Sequence, residues 1–199
     1  AKVPAKVTLL GPDRIAQRFK WEASRNVYDG LDDFVAHVVE IERRIIADLV
    51  KAGCKYIQID APGYTAYVDK VSLNRMRSRG EDPERNLERS IQADNALIKD
   101  FPGITFGIHI CRGNARTVDS RTGKLVPQWH REGSYDAIAE KLFNNVKHQR
   151  ILLEYDSDRA GSFEPLRLVP KDKLVVLGLV STKNSDMETV DDLKRRLDQ

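Results

Sequence analysis

Short apolar runs alternate with long amphipathic ones from one end of the chain to the other, and no other feature narrows the fold as far. The short runs are Lys6–Leu10, Tyr56–Asp60, Ile104–His109, Ile151–Glu154 and Leu174–Leu179. Most are nearly continuous in Val, Ile and Leu, the pattern of strands covered on both faces. Between them lie helical periodicities. From Leu31, apolar residues recur at Phe34, Val35, Val38, Ile41, Ile45, Ile46 and Leu49, and Gly53 ends the run. Further helices are expected over about Glu84–Lys99, Tyr135–Val146 and Asp186–Leu197, with Asp186 as N-cap. Such an order predicts βα units and a parallel sheet, an α/β fold.

Two architectures fit that order: a doubly wound sheet and a parallel (β/α)8 TIM-type barrel. No glycine-rich dinucleotide fingerprint follows any strand, which weakens the first. The polar residues favour the second. Asp60 ends one apolar run, His109 and Cys111 end the next, and Glu154 and Asp156 flank Tyr155. Ser181, Thr182 and Lys183 follow the last run. Barrel enzymes build their sites from the C-terminal ends of several strands. Five strands do not close such a barrel, for which about 250 residues are typical, and unpaired strand edges are avoided in nature. Residues 1–199 are therefore expected to be the C-terminal five βα units of one barrel domain. About three upstream units would come from the full-length product or another chain; the chain opens on Ala1 rather than Met.

Charge and cysteine content bound the partners. Thirty-three Lys and Arg against 30 Asp and Glu leave a net charge of +3. The densest basic cluster, Arg75, Arg77 and Arg79, runs straight into Glu81, Asp82 and Glu84, so no one-signed stripe marks a nucleic-acid surface. No apolar run is long enough to span a membrane, and none reads as a secretory signal. Two cysteines in a charged chain point to a reducing, cytoplasmic setting.

His109 and Cys111 stand two apart at a strand end, so both side chains point to one face. Imidazole and thiolate are both zinc ligands, and zinc deprotonates a thiol outright. A carboxylate at Glu154, on a strand about 5 Å away, completes a three-ligand set with one position open, as catalytic zinc sites have. The competing reading is a salt bridge from Glu154 to Arg112 or Arg159. Cys54 precedes its strand and belongs to the opposite end. Asp60 either holds a substrate ammonium or caps a turn. Arg112-Gly113-Asn114 offers a site for an anionic substrate group, and Trp129 and His130 sit in a loop long enough to be a lid. His37 and His148 read as surface or packing residues.

Several segments occur together in one order: Tyr-Ile-Gln-Ile-Asp-Ala-Pro at 56–62, His-Ile-Cys-Arg-Gly-Asn at 109–114 and Leu-Leu-Glu-Tyr-Asp-Ser-Asp-Arg at 152–159. Gly-Ser-Phe-Glu-Pro-Leu at 161–166 and Val-Val-Leu-Gly-Leu-Val at 175–180 follow. The set resembles the C-terminal catalytic barrel of the cobalamin-independent methionine synthase family, and more closely its shorter bacterial methionine-synthase-like members. The resemblance implies a zinc-dependent methyltransferase of methionine biosynthesis. It would move a methyl group from 5-methyltetrahydrofolate polyglutamate to the thiol of homocysteine or a similar small thiol. It makes His109, Cys111 and Glu154 zinc ligands and Asp60 the carboxylate on the homocysteine amino group. The first strand, Val7–Pro12, with Phe19 and Trp21 behind it, resembles the region offering an aromatic surface to the pterin. The chain also departs from the pattern. The family's second cysteine ligand, in Asn-Pro-Asp-Cys-Gly, has no counterpart around Val180–Lys183; the carboxylate after Asp60 is Ala61; and a histidine before the last strand is absent. Two further readings stay open. One is a zinc alkyltransferase resembling epoxyalkane:coenzyme M transferase, with Arg112 and Arg116 meeting a sulfonate; the other is a metal-free barrel that binds a ligand without turnover.

Overall fold

The computed structural model describes residues 2–113, 116–127, 131–181 and 187–198. Five parallel strands form one sheet: β1 (Lys6–Leu10), β2 (Tyr56–Asp60), β3 (Thr105–Ile110), β6 (Arg150–Glu154) and β7 (Leu174–Gly178), in that spatial order. A separate antiparallel hairpin, β4 (Arg116–Val118) and β5 (Leu125–Pro127), lies within the long connection after β3. The long helices are α3 (Leu31–Lys51), α4 (Lys70–Ser78), α5 (Pro83–Ile98), α6 (Asp136–Asn145) and α7 (Val190–Leu197), with short α1 (Pro12–Ala16) and α2 (Trp21–Ser24) after β1.

Local chemistry sets most boundaries. Asp82 accepts from the backbone N–H groups of Glu84 and Arg85, and Pro83 occupies the first turn of α5, where a missing N–H costs nothing. Asp69 caps α4 by accepting from Ser72 N. Gly53, at φ +93°, takes the left-handed turn that ends the α3 region. The helix expected from Asp186 begins later, at Val190, because Thr189 and Asp192 form a reciprocal capping box there; Asp186 lies outside the described residues. Helix α4 was not foreseen. Its weak apolar periodicity leaves it without a single buried residue.

The strands do not bury both faces alike. Ile57, Ile59, Phe106, Ile108, Ile110, Ile151 and Leu153 point to one face, where Ile46 of α3, Leu87, Ile91 and Leu97 of α5, and Ile138, Leu142 and Phe143 of α6 cover them. The alternate positions carry Tyr56, Gln58, Asp60, Thr105, His109, Arg150 and Glu154. There Lys6 Nζ donates to Gln58 Oε1 at 2.8 Å, and the Arg150 guanidinium lies 4.6 Å from the centre of the Tyr56 ring. Gly107 makes room for this: a Cβ would stand 3.0 Å from Leu152 Cδ1 and 3.3 Å from the Tyr56 hydroxyl. β1 and β7 end the sheet order, and Leu10, Leu174 and Val176 on them are exposed. Among the described residues, no helix is long and apolar enough to cross a membrane.

Candidate metal and active site

Parallel register brings the polar strand ends together. Asp60 pairs with His109 across β2 and β3, and Ile110 pairs with Leu153 across β3 and β6. One step further along that second register sets Cys111 beside Glu154. Ligand atoms of Asp60, His109 and Cys111 lie within 4.8 Å of one another. His109 Nδ1 donates to Asp60 Oδ1 at 2.5 Å, which turns Nε2 toward Glu154 Oε1 at 3.5 Å. The Asp60 carboxylate thus orients the imidazole, a contact for which the sequence offered no argument beyond two polar residues ending adjacent strands.

Charge in this cluster is unbalanced toward the negative. Burial works against a charged imidazole, but the hydrogen bonds to Asp60 and Glu154 outweigh it and raise His109 to about 9. Burial, then the Glu154 carboxylate, push the Cys111 thiol up to about 11, against a 3.2 Å bond from Gly113 N–H to its sulfur. Two carboxylates, an imidazole and a thiol facing one space form a donor set suited to a cation. Bonds of 2.0–2.3 Å to a tetrahedral zinc place ligand atoms roughly 3.3–3.8 Å apart, and the ligand atoms of Asp60, His109 and Cys111 lie within 4.8 Å of one another.

The surrounding bonds hold the cluster in place. Ala61 N donates to His109 O at 2.8 Å, and the Thr65 hydroxyl lies 2.9 Å from Cys111 O. Glu154 meets Arg159 Nη2 at 3.2 Å through Oε2, the same oxygen that accepts from Arg112 N at 3.1 Å. The salt bridge weighed against metal ligation for Glu154 therefore exists, yet it engages one oxygen while the other faces His109.

Arg112 requires a correction. Its side chain does not face a substrate anion but is fully buried, with the guanidinium donating to the carbonyls of Arg131, Gly133 and Arg159 at 2.7, 2.8 and 3.3 Å. It also lies 4.3 Å from the centre of the Tyr135 ring. The turn after Cys111 leaves the guanidinium as a donor to these three loop carbonyls. Phe19 packs on Phe34 with ring centres 5.0 Å apart and lines a cleft with Tyr67 and Met76. Trp21 opens α2. Asn114, Trp129, His130, Thr182 and Lys183 lie outside the described residues, and Ser181 N donates to Glu188 Oε1. Cys54 sits at the start of β2, its thiol 3.3 Å from Tyr56 O. His37 bonds the Tyr28 hydroxyl on the surface, whereas His148 is fully buried. Thr65 and Arg159 shape the site, and only Arg159 had a signal in the sequence, as a cation near Glu154.

No protein-family model matches the chain. It is 31% identical over 196 residues to the uncharacterized protein YxjH of Bacillus subtilis (strain 168), an alignment covering 98% of this chain and 49% of that protein. It is 23% identical over 192 residues to the methionine synthase of Pyrococcus abyssi (strain GE5 / Orsay), covering 96% and 44% respectively. Among solved structures, the putative vitamin-B12 independent methionine synthase from Listeria monocytogenes aligns with a TM-score of 0.69 at 21% identity, over 100% of this chain and 52% of that one. The chain spans about half the length of the proteins it matches. Its α/β fold is shared with B12-independent methionine-synthase-like structures.

Proposed function

We propose that the chain forms five consecutive βα units of a methionine-synthase-like (β/α)8 barrel, and that its strand ends make a zinc-dependent thiol methyltransferase site. The observation carrying this reading is the convergence of Asp60, His109 and Cys111 within 4.8 Å, with Glu154 adjoining His109. His109 through Nε2, Cys111 through its sulfur and Glu154 through Oε1 would hold zinc. The position left over suits a substrate sulfur. Bound zinc would keep a thiol ionised at neutral pH, and the thiolate is the nucleophilic form.

The chain's own residues prepare that step. Asp60 holds the proton on His109 Nδ1, fixing the tautomer that leaves Nε2 as a ligand. Its second oxygen is then available to a substrate ammonium. Arg159 and the Arg112 amide hold Oε2 of Glu154, so only Oε1 swings toward the metal. The thiol acceptor is homocysteine or a similar small thiol, and the methyl donor a 5-methyltetrahydrofolate. Exposed Leu10, Leu174 and Val176 on the end strands suit closure against further strands from the rest of a longer protein. Such thiol chemistry belongs in a reducing cytoplasm. The alkyltransferase alternative relied on Arg112 to meet a sulfonate and loses that residue to the loop carbonyls.

The test is elemental analysis of full-length protein purified without chelator, beside Cys111→Ser. About one zinc per chain, lost in the variant, is expected, together with methyl transfer to homocysteine by the parent alone. Full zinc in Cys111→Ser would overturn the ligand assignment. Zinc in neither would favour the metal-free ligand-binding barrel.

A further inference from the structure

Both peptide groups that flank the Cys111 α-carbon are met by a buried side-chain hydroxyl. On one side the Thr65 hydroxyl lies 2.9 Å from Cys111 O and 3.0 Å from Pro62 O. On the other, the Tyr135 hydroxyl lies 3.4 Å from Ile110 O and 3.4 Å from Glu154 O, a three-centre arrangement. Thr65 and Tyr135 are both 0% exposed, so these carbonyls, and not bulk water, are what their hydroxyls meet. Neither side chain belongs to the ligand set itself.

Each hydroxyl is in turn held by its surroundings. Thr65 belongs to the single buried turn Tyr64–Tyr67. Tyr64 donates to Asp94 Oδ2 of α5 at 2.6 Å, and the Tyr67 hydroxyl lies 3.2 Å from Ser90 Oγ on the same helix. Gly63 lets this turn approach α1, because a Cβ there would run into Asp13 Oδ2. The Tyr135 ring meets the Arg112 guanidinium at 4.3 Å and the Tyr155 ring at a centre distance of 5.3 Å. Burial pushes the Tyr135 phenol up to about 12, so it keeps its proton and remains a donor at neutral pH. The neighbouring Tyr155 hydroxyl is buried with no hydrogen-bond partner among the described residues.

The aim of a side chain depends on the two backbone dihedrals at its own α-carbon and on its rotamer. Holding the peptide on each side of Cys111 fixes those dihedrals and so the direction of its Cα–Cβ bond. The same Tyr135 hydroxyl reaches the backbone of Glu154, which ties the thiol-bearing strand end to the one bearing the carboxylate. We infer that Thr65 and Tyr135 are positioning residues that preorganise Cys111, and through Tyr135 its spacing from Glu154, for a thiophilic divalent cation. The inference rests on the zinc-site reading and extends it to two side chains that are not ligands. Ligand sets are held in productive geometry by such supporting contacts.

Cobalt(II) titration of full-length, metal-stripped protein, followed by thiolate-to-cobalt absorption, tests it, with zinc affinity taken from chelator competition. Tyr135→Phe keeps the ring and removes only the hydroxyl, and Thr65→Val removes the other hydroxyl at nearly constant volume. Each should weaken metal binding about tenfold and lower the thiolate absorption per bound cobalt. Thr65→Ser retains a hydroxyl and should stay close to the parent in both readouts. Tyr155→Phe removes the adjacent unpartnered hydroxyl and should change neither. A parent that binds metal, with affinity and spectrum unaltered in Tyr135→Phe and Thr65→Val, would overturn this inference and leave the zinc site standing. Equal weakening in Tyr155→Phe, or a Thr65→Ser variant as weak as Thr65→Val, would overturn it too. A parent that binds neither metal would overturn the zinc-site reading, and this inference with it.

Discussion

His148 gives a quantitative handle on this fold. It follows α6 and precedes β6, is 0% exposed, and neither ring nitrogen has a hydrogen-bond partner among the described residues. Its carbonyl accepts from Lys173 Nζ at 2.9 Å. Burial, with the Lys173 charge adding to it, lowers the imidazole to about 3. An unfolded histidine titrates near 6.5, so the folded value is depressed and the native state stays neutral where the unfolded chain takes up a proton. The stabilising contribution is complete above that unfolded value and is lost as pH falls toward 3. Between about pH 8 and pH 5 the unfolded state gains RT ln(1 + 10^1.5), about 2 kcal/mol. That figure changes little for any folded value below 4, because the native ring is then neutral at both pH values. His148→Leu removes the titrating group and two unpartnered nitrogens, so stability at pH 8 should hold or rise. Urea unfolding followed by circular dichroism at the two pH values measures the difference. The parent should lose about 2 kcal/mol more than the variant on acidification. Equal losses in both would refute the claim of a neutral buried imidazole, and other titrating groups cancel in the comparison.

Two further substitutions probe the site. Asp60→Asn removes the charge-assisted bond to His109 Nδ1, and zinc affinity should fall by about 10–100-fold in chelator competition; unchanged affinity would mean that Asp60 does not orient the ligand. Arg112→Met strips the donors from the Arg131 and Gly133 carbonyls and should cost about 3 kcal/mol or more by urea unfolding, with faster amide exchange around residues 131–133. A neutral effect would mean that these carbonyls find other partners.

How far the site could be read from the sequence differs residue by residue. His109, Cys111 and Glu154 stood out because a period of two and a strand end are local properties. The Asp60–His109 contact did not, because it depends on which residues face each other across two strands separated by a long helix pair. Arg112 was misjudged for a related reason. A guanidinium beside a glycine looks like an anion site until the loop of residues 131–133 folds over it. A cleft lined by Arg14, Arg18, Arg75, Arg79, Arg89 and Arg131 was hidden more deeply, since its six arginines come from α1 and the turn after it, α4 and its C-terminal end, α5 and the connection after β3.

By itself, the sequence determined the alternation of strand and helix and the reactive residues at the strand ends. These follow from side-chain type and spacing along a single segment, where backbone geometry dictates direction. Only the tertiary structure decided the register that sets Asp60 opposite His109, the burial of Arg112 and His148, and the gathering of cations into one cleft. Each of those depends on contacts between segments far apart in the chain, where packing and desolvation, not local periodicity, choose the partner.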